Sequence, residues 1–372
     1  MRIAFCPNVN VPTRAAEGLD VMKRCQWFSK IGNEVTLFVP NVPGPESDQD
    51  PYMFYGMENI FGIVKLPWVG VPGKRLLCGY LAARGAKRKG ADLVYARSVY
   101  AAYFAAGLGI DVILESHNPI RDEGRMPEWV FRRIRRSGGF KRLVVITGAL
   151  KEYFEERYGL DGKMIMVAPS GADPAEEVEP MSLGSDRFSV GYVGHLYPGK
   201  GMEVVGMVSK LCPWADFHVV GGTEVDIQRW KSELVGNPNV IFHGYVLPSE
   251  TVKYRAAFDV LVVPNQRTVS IFGGGSDIGK WTSPLKLFEY MSAGKPIICS
   301  DLPVLREVVV DGETALLCDP EKAEDWAEAL IRLRDDEDLR GRLGASARRE
   351  FLASYTWEVR AKKVLSGLKE SG

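Results

Sequence analysis

Residues 188–205 read FSVGYVGHLYPGKGMEVV: a β-branched and aromatic run, a glycine turn, then the opening of a helical pattern. This second beginning decides the architecture, because an equivalent series has already run its course upstream. Before it come RIAFC (2–6), EVTLFV (34–39), DLVYA (92–96), DVILE (111–115), RLVVI (142–146) and MIMVA (164–168). Helical patterns lie near 18–31, 74–89, 98–108, 127–136 and 148–158, and residues 40–73 read as a long loop rich in Pro and Gly. After it come DFHVVGG, NVIFHG, FDVLVVP, PIICSD and ALLCD, each separated by a helical segment. Short strands alternating with helices imply βαβ units and a parallel sheet. The stretch between the series, SGADPAEEVEPMSLGSDR (170–187), is polar, acidic and without apolar period, as expected of a linker. The expected fold is therefore α/β: two tandem Rossmann-like, doubly wound parallel-sheet domains, 1–172 and 188–352, facing a central cleft. Beyond residue 320 the chain reads as helix only, and 353–372 forms a C-terminal helix able to cross back to the first domain.

A chain of 372 residues exceeds what one hydrophobic core organises, which agrees with two domains. Hydrophobic residues make up 46% and charged residues 25%, the composition of a globular protein. Formal charge sums to zero, but residues 1–170 carry 24 Lys+Arg against 17 Asp+Glu and the remainder 23 against 30. The basic first half predicts an anionic partner or surface there. Six scattered cysteines contain no CxxC pair, predicting free thiols in a reducing, cytoplasmic compartment and no zinc site. No apolar run is long enough to span a bilayer. A dinucleotide-dependent dehydrogenase is disfavoured, since no GxGxxG follows the first strand.

The chemistry concentrates in TSPLKLFEYMSAGKP (282–296). Ser283 is expected at the N-cap, Pro284 and Leu285 in the first turn, Lys286 third, and Glu289 one turn on along the same face. Unpaired backbone N–H groups, the positive end of the helix dipole and an ammonium would then converge, an arrangement suited to a diphosphate. Glu289 would accept hydrogen bonds from sugar hydroxyls, and the glycine-rich FGGGSDIGK (272–280) would let a ligand approach main chain. His117 and Arg97 fall just after strands, where open parallel sheets bind ligands. His218 and His243 read as sheet residues, and Met22 and Trp27 as packing.

TSPLKLFEYMSAGKPIICSD resembles the nucleotide-sugar signature of GT-B glycosyltransferases, specifically the large family-four retaining group. VGYVGHLYPGKGMEVV (190–205), VAPSGAD (167–173), VILESHNP (112–119) and the ADPAEE linker are similar to further family segments in the same order. The resemblance implies that Lys200 and Lys286 hold the donor diphosphate and Glu289 the ribose. It also implies that Gly18 approaches the donor and His117 sits beside the donor sugar, with His195 and Ser283 in the donor site. Two positions depart from the pattern: Trp281 replaces a glutamate eight residues before Glu289, and His195 replaces an arginine.

Departure of a nucleoside diphosphate needs its charge neutralised by a metal or by cations and dipoles. With lysines and a helix start but no DxD triplet, the expectation is metal-independent, retaining transfer from a UDP- or GDP-sugar to a glycan, lipid-linked or small-molecule acceptor, with no cofactor. A nucleotide-sugar epimerase and a non-catalytic nucleotide-sugar-binding protein remain alternatives. The stretches KRLLCGYLAARGAKRK (74–89) and EWVFRRIRRSGGFKR (128–142) interleave cations with apolar residues. They are read either as solvated helix faces or as a peripheral contact with the inner face of an anionic membrane. Few aromatics accompany those cations, which disfavours nucleic acid.

Overall fold

The computed structural model describes residues 1–270 and 277–368 and divides the chain into two compact units. Unit 1 comprises Met1–Pro169 with Trp357–Gly372, and unit 2 is Ser170–Thr356.

Unit 1 runs β1 (Arg2–Cys6), α1 (Ala16–Lys30), β2 (Glu34–Pro40), α2 (Pro51–Tyr55), β3 (Gly62–Leu66), α3 (Lys74–Arg88), β4 (Leu93–Ala96) and α4 (Val99–Gly107). It continues with β5 (Asp111–Ser116), α5 (Arg125–Ile134), β6 (Phe140–Val145), α6 (Gly148–Tyr158) and β7 (Ile165–Val167). Among the described residues its strands form a parallel sheet in the order β3-β2-β1-β4-β5-β6-β7. The order reverses between β1 and β4, the point beyond whose carboxyl ends such sheets place ligands. The expected loop 40–73 is not all loop: it holds α2 and the edge strand β3. GIVKL is too short and too exposed to alternate cleanly, and pairing with β2 from Thr36–Gly62 to Pro40–Leu66 fixes it instead.

Unit 2 follows with β8 (Phe188–Val193), α7 (Met202–Leu211), β9 (Ala215–Val220), α8 (Glu224–Glu233), β10 (Val240–Gly244), α9 (Thr251–Ala257) and β11 (Val260–Val263). Then come α10 (Leu285–Ala293), β12 (Ile297–Ser300), α11 (Pro303–Arg306), β13 (Leu316–Cys318), α12 (Ala323–Asp335) and α13 (Glu337–Ser354). Its parallel sheet is ordered β10-β9-β8-β11-β12-β13, again reversing beside its first strand. Strand β8 lies against a ring: a Cβ on Gly191 would collide with Phe258, so only glycine lets β8 and the α9–β11 junction meet. Segment 170–187 does not behave as a free linker. Ser292 Oγ accepts from Ala175 N–H at 2.6 Å and donates to the Asp173 carbonyl at 2.8 Å, tying the segment to α10, and Leu183 packs on the core.

The chain then returns to unit 1 as α14 (Trp357–Leu365), which packs on α1. Trp357, Ala361 and Val364 are buried, each large apolar side chain worth about 1.5–3 kcal/mol when removed from water. All six cysteines are free. Among the described residues no helix is long and apolar enough to cross a membrane.

Candidate active site

In unit 2 the glycine turn after β8 sits at the sheet's reversal point. The Tyr290 hydroxyl of α10 accepts from Val193 N–H at 2.7 Å and donates to its carbonyl at 3.2 Å, pinning α10 to the end of β8. That anchor sets the helix start next to Gly194, whose missing Cβ would lie 3.4 Å from Lys286 Cε. The helix itself begins one residue later than expected. Pro284 is the extended residue before it, Leu285 opens it, and Lys286 is second rather than third. Ser283 is not a cap, because its hydroxyl accepts from Ser170 N–H at 3.0 Å and holds the first residue of unit 2 instead.

Lys286 is buried, with its ammonium 4.0 Å from the centre of the Tyr192 ring. Nζ has no hydrogen-bond partner among the described residues. Burial holds its pKa well below the ordinary lysine range, and the neighbouring Lys200 pushes it the same way. Lys200 itself is lowered to about 8 by burial. Among the described residues neither lysine is bonded to a carboxylate, and an anionic ligand would offset the burial that lowers both. Glu289 is 26% exposed and faces Arg255, Oε2 to Nη1 3.5 Å, a partner the sequence reading missed. Arg255 is held in turn by Thr251 at 2.8 Å.

Around these groups the turn is closely braced. The His195 ring stacks on Tyr197 with centroids 4.9 Å apart, and Tyr192 donates to the His195 carbonyl at 2.5 Å. Gly201, at φ +102°, precedes α7 where a Cβ would strike the Pro264 carbonyl, so the turn requires glycine. Asn265, two residues beyond β11, is fully buried, and among the described residues neither of its amide atoms is hydrogen-bonded. Residues 272–276 of the glycine-rich loop lie outside the described residues, while Asp277 fixes its far side by accepting from Val269 and Gly279 N–H at 2.9 and 2.8 Å. Trp281 is half-buried.

Unit 1 holds a second cluster at the carboxyl ends of β4 and β5. His117 Nε2 lies 2.6 Å from Glu115 Oε1. The buried Glu115 carboxyl also accepts from Arg24, from the Tyr95 hydroxyl and, at 3.1 Å, from Arg360 of α14. Arg24 bonds Asp20 at 2.8 Å, and Arg97 pairs with Asp20 and Glu17 at 3.6 and 3.5 Å. Burial first, then Arg97, Arg24 and Arg360, hold the His117 pKa well below its usual value, so its imidazole is neutral. Burial pushes Glu115 up to about 7 against the pull of Arg360.

Gly18 is not an open approach. It lies inside α1, and a Cβ there would run into the Tyr55 hydroxyl and the Thr13 methyl, so packing accounts for it. His218 and His243 sit in β9 and β10, bonded to each other at 2.9 Å. Met22 is core, and Trp27 packs at its edge. Among the described residues no group of three His, Cys, Asp or Glu could hold a metal ion.

Two family models match in tandem: "Glycosyltransferase Family 4" over residues 21–176 and "Glycosyl transferases group 1" over 187–336. The chain belongs to the family-four GT-B glycosyltransferases. Among its relatives, D-inositol 3-phosphate glycosyltransferase of Corynebacterium glutamicum is 28% identical over 67% of this chain and 62% of that protein. Phosphatidyl-myo-inositol mannosyltransferase of Mycolicibacterium smegmatis is 27% identical over 60% and 55%. The matches therefore span less than two thirds of these relatives' length. Sucrose-phosphate synthase from Thermosynechococcus elongatus superposes with TM-score 0.72 at 18% identity, covering 97% of this chain and 96% of that one. Anabaena HepE in complex with UDP gives 0.74 at 15%, covering 99% and 100%. At such identities the likeness establishes the GT-B fold.

Within this member of the family the residues divide by unit. Lys200, His195, Lys286 and Glu289 line the turn and helix start of unit 2, and His117 stands in the ionic cluster of unit 1. The signal for that cluster was weak. Glu115 falls inside a strand, and Arg24 and Arg360 fall inside helices that otherwise read as packing.

Proposed function

We propose that the protein is a retaining glycosyltransferase that moves a sugar from a UDP- or GDP-sugar to an acceptor hydroxyl without a metal ion. The observation that carries this reading is Lys286: a buried ammonium with no hydrogen-bond partner among the described residues, on the face of Tyr192 and beside a second lysine of lowered pKa. An isolated buried cation is costly, whereas a diphosphate would pair it, gaining charge-assisted hydrogen bonds of about 1.5–3 kcal/mol each. As the sugar–phosphate bond breaks, charge accumulates on the leaving diphosphate, so the same contacts strengthen toward the transition state. Glu289, steadied by Arg255, keeps free lone pairs for ribose hydroxyls, and neutral His117 would contact the donor sugar.

The relatives support transfer to a phosphorylated or lipid-linked acceptor, as their names state for those proteins. In this chain the residues between Val69 and Lys89 carry six Lys or Arg and no Asp or Glu, with Val71, Leu76, Leu77 and Tyr80 exposed on the same segment. On α5, Met126 and Trp129 are 59% and 47% exposed beside Arg132 and Arg133. A groove of about 450 Å³, lined by Tyr80, Tyr103, Phe104, Leu108, Arg133 and Ile134, lies between these helices. Such a face suits an anionic bilayer, each Lys or Arg near it contributing about 1 kcal/mol.

A panel of UDP- and GDP-sugars tests the activity. Slow release of nucleoside diphosphate, undiminished by chelator, is expected. An isomerised donor, or binding without turnover, would refute transfer. Co-sedimentation with phosphatidylglycerol vesicles, lost at high salt or on neutral vesicles, tests the surface.

A further inference from the structure

We propose that Glu115 is a positioning residue that fixes His117 in one tautomer, and that Arg360 makes helix α14 part of that support. The inference rests on the reading above only in assigning His117 to the donor sugar.

The argument begins with donors and acceptors. Glu115 Oε2 accepts from Tyr95 and from Arg360, and Oε1 accepts from Arg24. The two arginines can only donate, and the Tyr95 hydroxyl donates toward it as well, which favours the unprotonated carboxylate. A carboxylate oxygen can only accept, so the 2.6 Å contact between Oε1 and His117 places the ring proton on Nε2; Arg24 Nη2, which can only donate, stands 3.5 Å from the same nitrogen, the longer and weaker of the two contacts. A neutral imidazole carries one ring proton, so Nδ1 is left as an acceptor, and among the described residues nothing hydrogen-bonds to it. The ring therefore presents a lone pair on Nδ1.

The carboxylate in turn depends on the far end of the chain. Arg360 lies 245 residues from Glu115. Its Nε donates to the Pro169 carbonyl at 2.8 Å, and its Nη2 is shared between Glu115 and the Ala168 carbonyl at 3.2 Å. Trp357 of the same helix lies under Arg24, the guanidinium 5.7 Å from its ring centre. Helix α14 thus holds both arginines that grip the carboxylate. Nothing in the packing of an amphipathic helix demands that; a leucine at 360 would bury as well.

The test is nitrogen-15 NMR of the full chain with labelled histidine at pH 8, where four histidines keep the spectrum assignable through His117→Asn. The expected result is a neutral His117 protonated on Nε2. Glu115→Gln, whose amide can donate or accept, should release the ring into a mixture of tautomers. Arg360→Met, a change that does not touch His117, should shift the spectrum in the same direction. Donor-hydrolysis kcat should fall at least tenfold in Glu115→Gln with donor KM unchanged. Protonation on Nδ1 in the unsubstituted protein would overturn the proposal whatever the variants do, as would an unmoved tautomer in folded Glu115→Gln. Because the spectrum needs no turnover, a protein that hydrolyses no nucleotide-sugar would sink the transferase reading and leave this one standing.

Discussion

Replacing Lys286 by Met keeps the length of the stem and removes the ammonium, and the structure predicts two effects of opposite sign. In the unliganded protein Nζ is buried without a hydrogen-bond partner among the described residues, a cost of about 1–3 kcal/mol. Attraction to the Tyr192 face returns about 0.5–2 kcal/mol of that. The free variant should therefore be as stable as the original or more so, by up to about 2 kcal/mol. At roughly 2–4 °C per kcal/mol for a unit of this size, the midpoint rises by a few degrees. In the liganded protein the sign reverses. Loss of a charge-assisted contact of about 1.5–3 kcal/mol weakens UDP or GDP binding by roughly ten- to 150-fold. The stabilisation that nucleotide gives to folding shrinks accordingly. Thermal unfolding with and without nucleoside diphosphate reads both effects in one experiment. A variant that unfolds earlier when free, yet keeps its full nucleotide-dependent shift, would show that Lys286 serves the core and not a ligand.

Glu289→Gln should weaken nucleoside diphosphate binding while leaving inorganic pyrophosphate unaffected, measured by calorimetry; equal losses would contradict a ribose contact. Lys200 titrates near 8 in the free protein, so diphosphate affinity should hold below that pH and decline above it as the ammonium is lost, with proton uptake on binding visible in buffers of different ionisation enthalpy. The same lowered pKa means that the unfolded chain binds more protons than the folded one between about pH 8 and the ordinary lysine value, so this group's contribution makes the fold more stable as pH rises through that window. Gly191→Ala should cost about 1–3 kcal/mol in urea unfolding, because its Cβ meets the Phe258 ring.

Sequence reasoning reached the two sheets because most of their strands are buried on both faces and so read as continuous apolar runs. It missed β3, which owes its conformation to pairing with β2 and not to its own composition. At the helix mouth, Lys286 was legible because a cation followed by LFEYM has nowhere apolar to go. Ser283 misled because capping preference is local, whereas its hydroxyl is taken by a backbone N–H from residue 170. The Glu115 cluster was least legible of all. Its members come from α1, β4, β5 and α14, and no window of sequence contains more than a few of them.

Helix α14 also imposes an order of events during synthesis. Unit 1 is not finished when its sheet is, because the helix that packs on α1 and supplies Arg360 is translated only after the whole of unit 2. At roughly 5–20 residues per second the delay is about ten to forty seconds, during which Glu115 and Asp20 must share Arg24 without its companion. The amino-terminal half should therefore emerge from the ribosome as an incomplete body with an open seam along α1, a natural station for a chaperone. A lesion near residue 360 would be felt first in the half of the molecule made earliest.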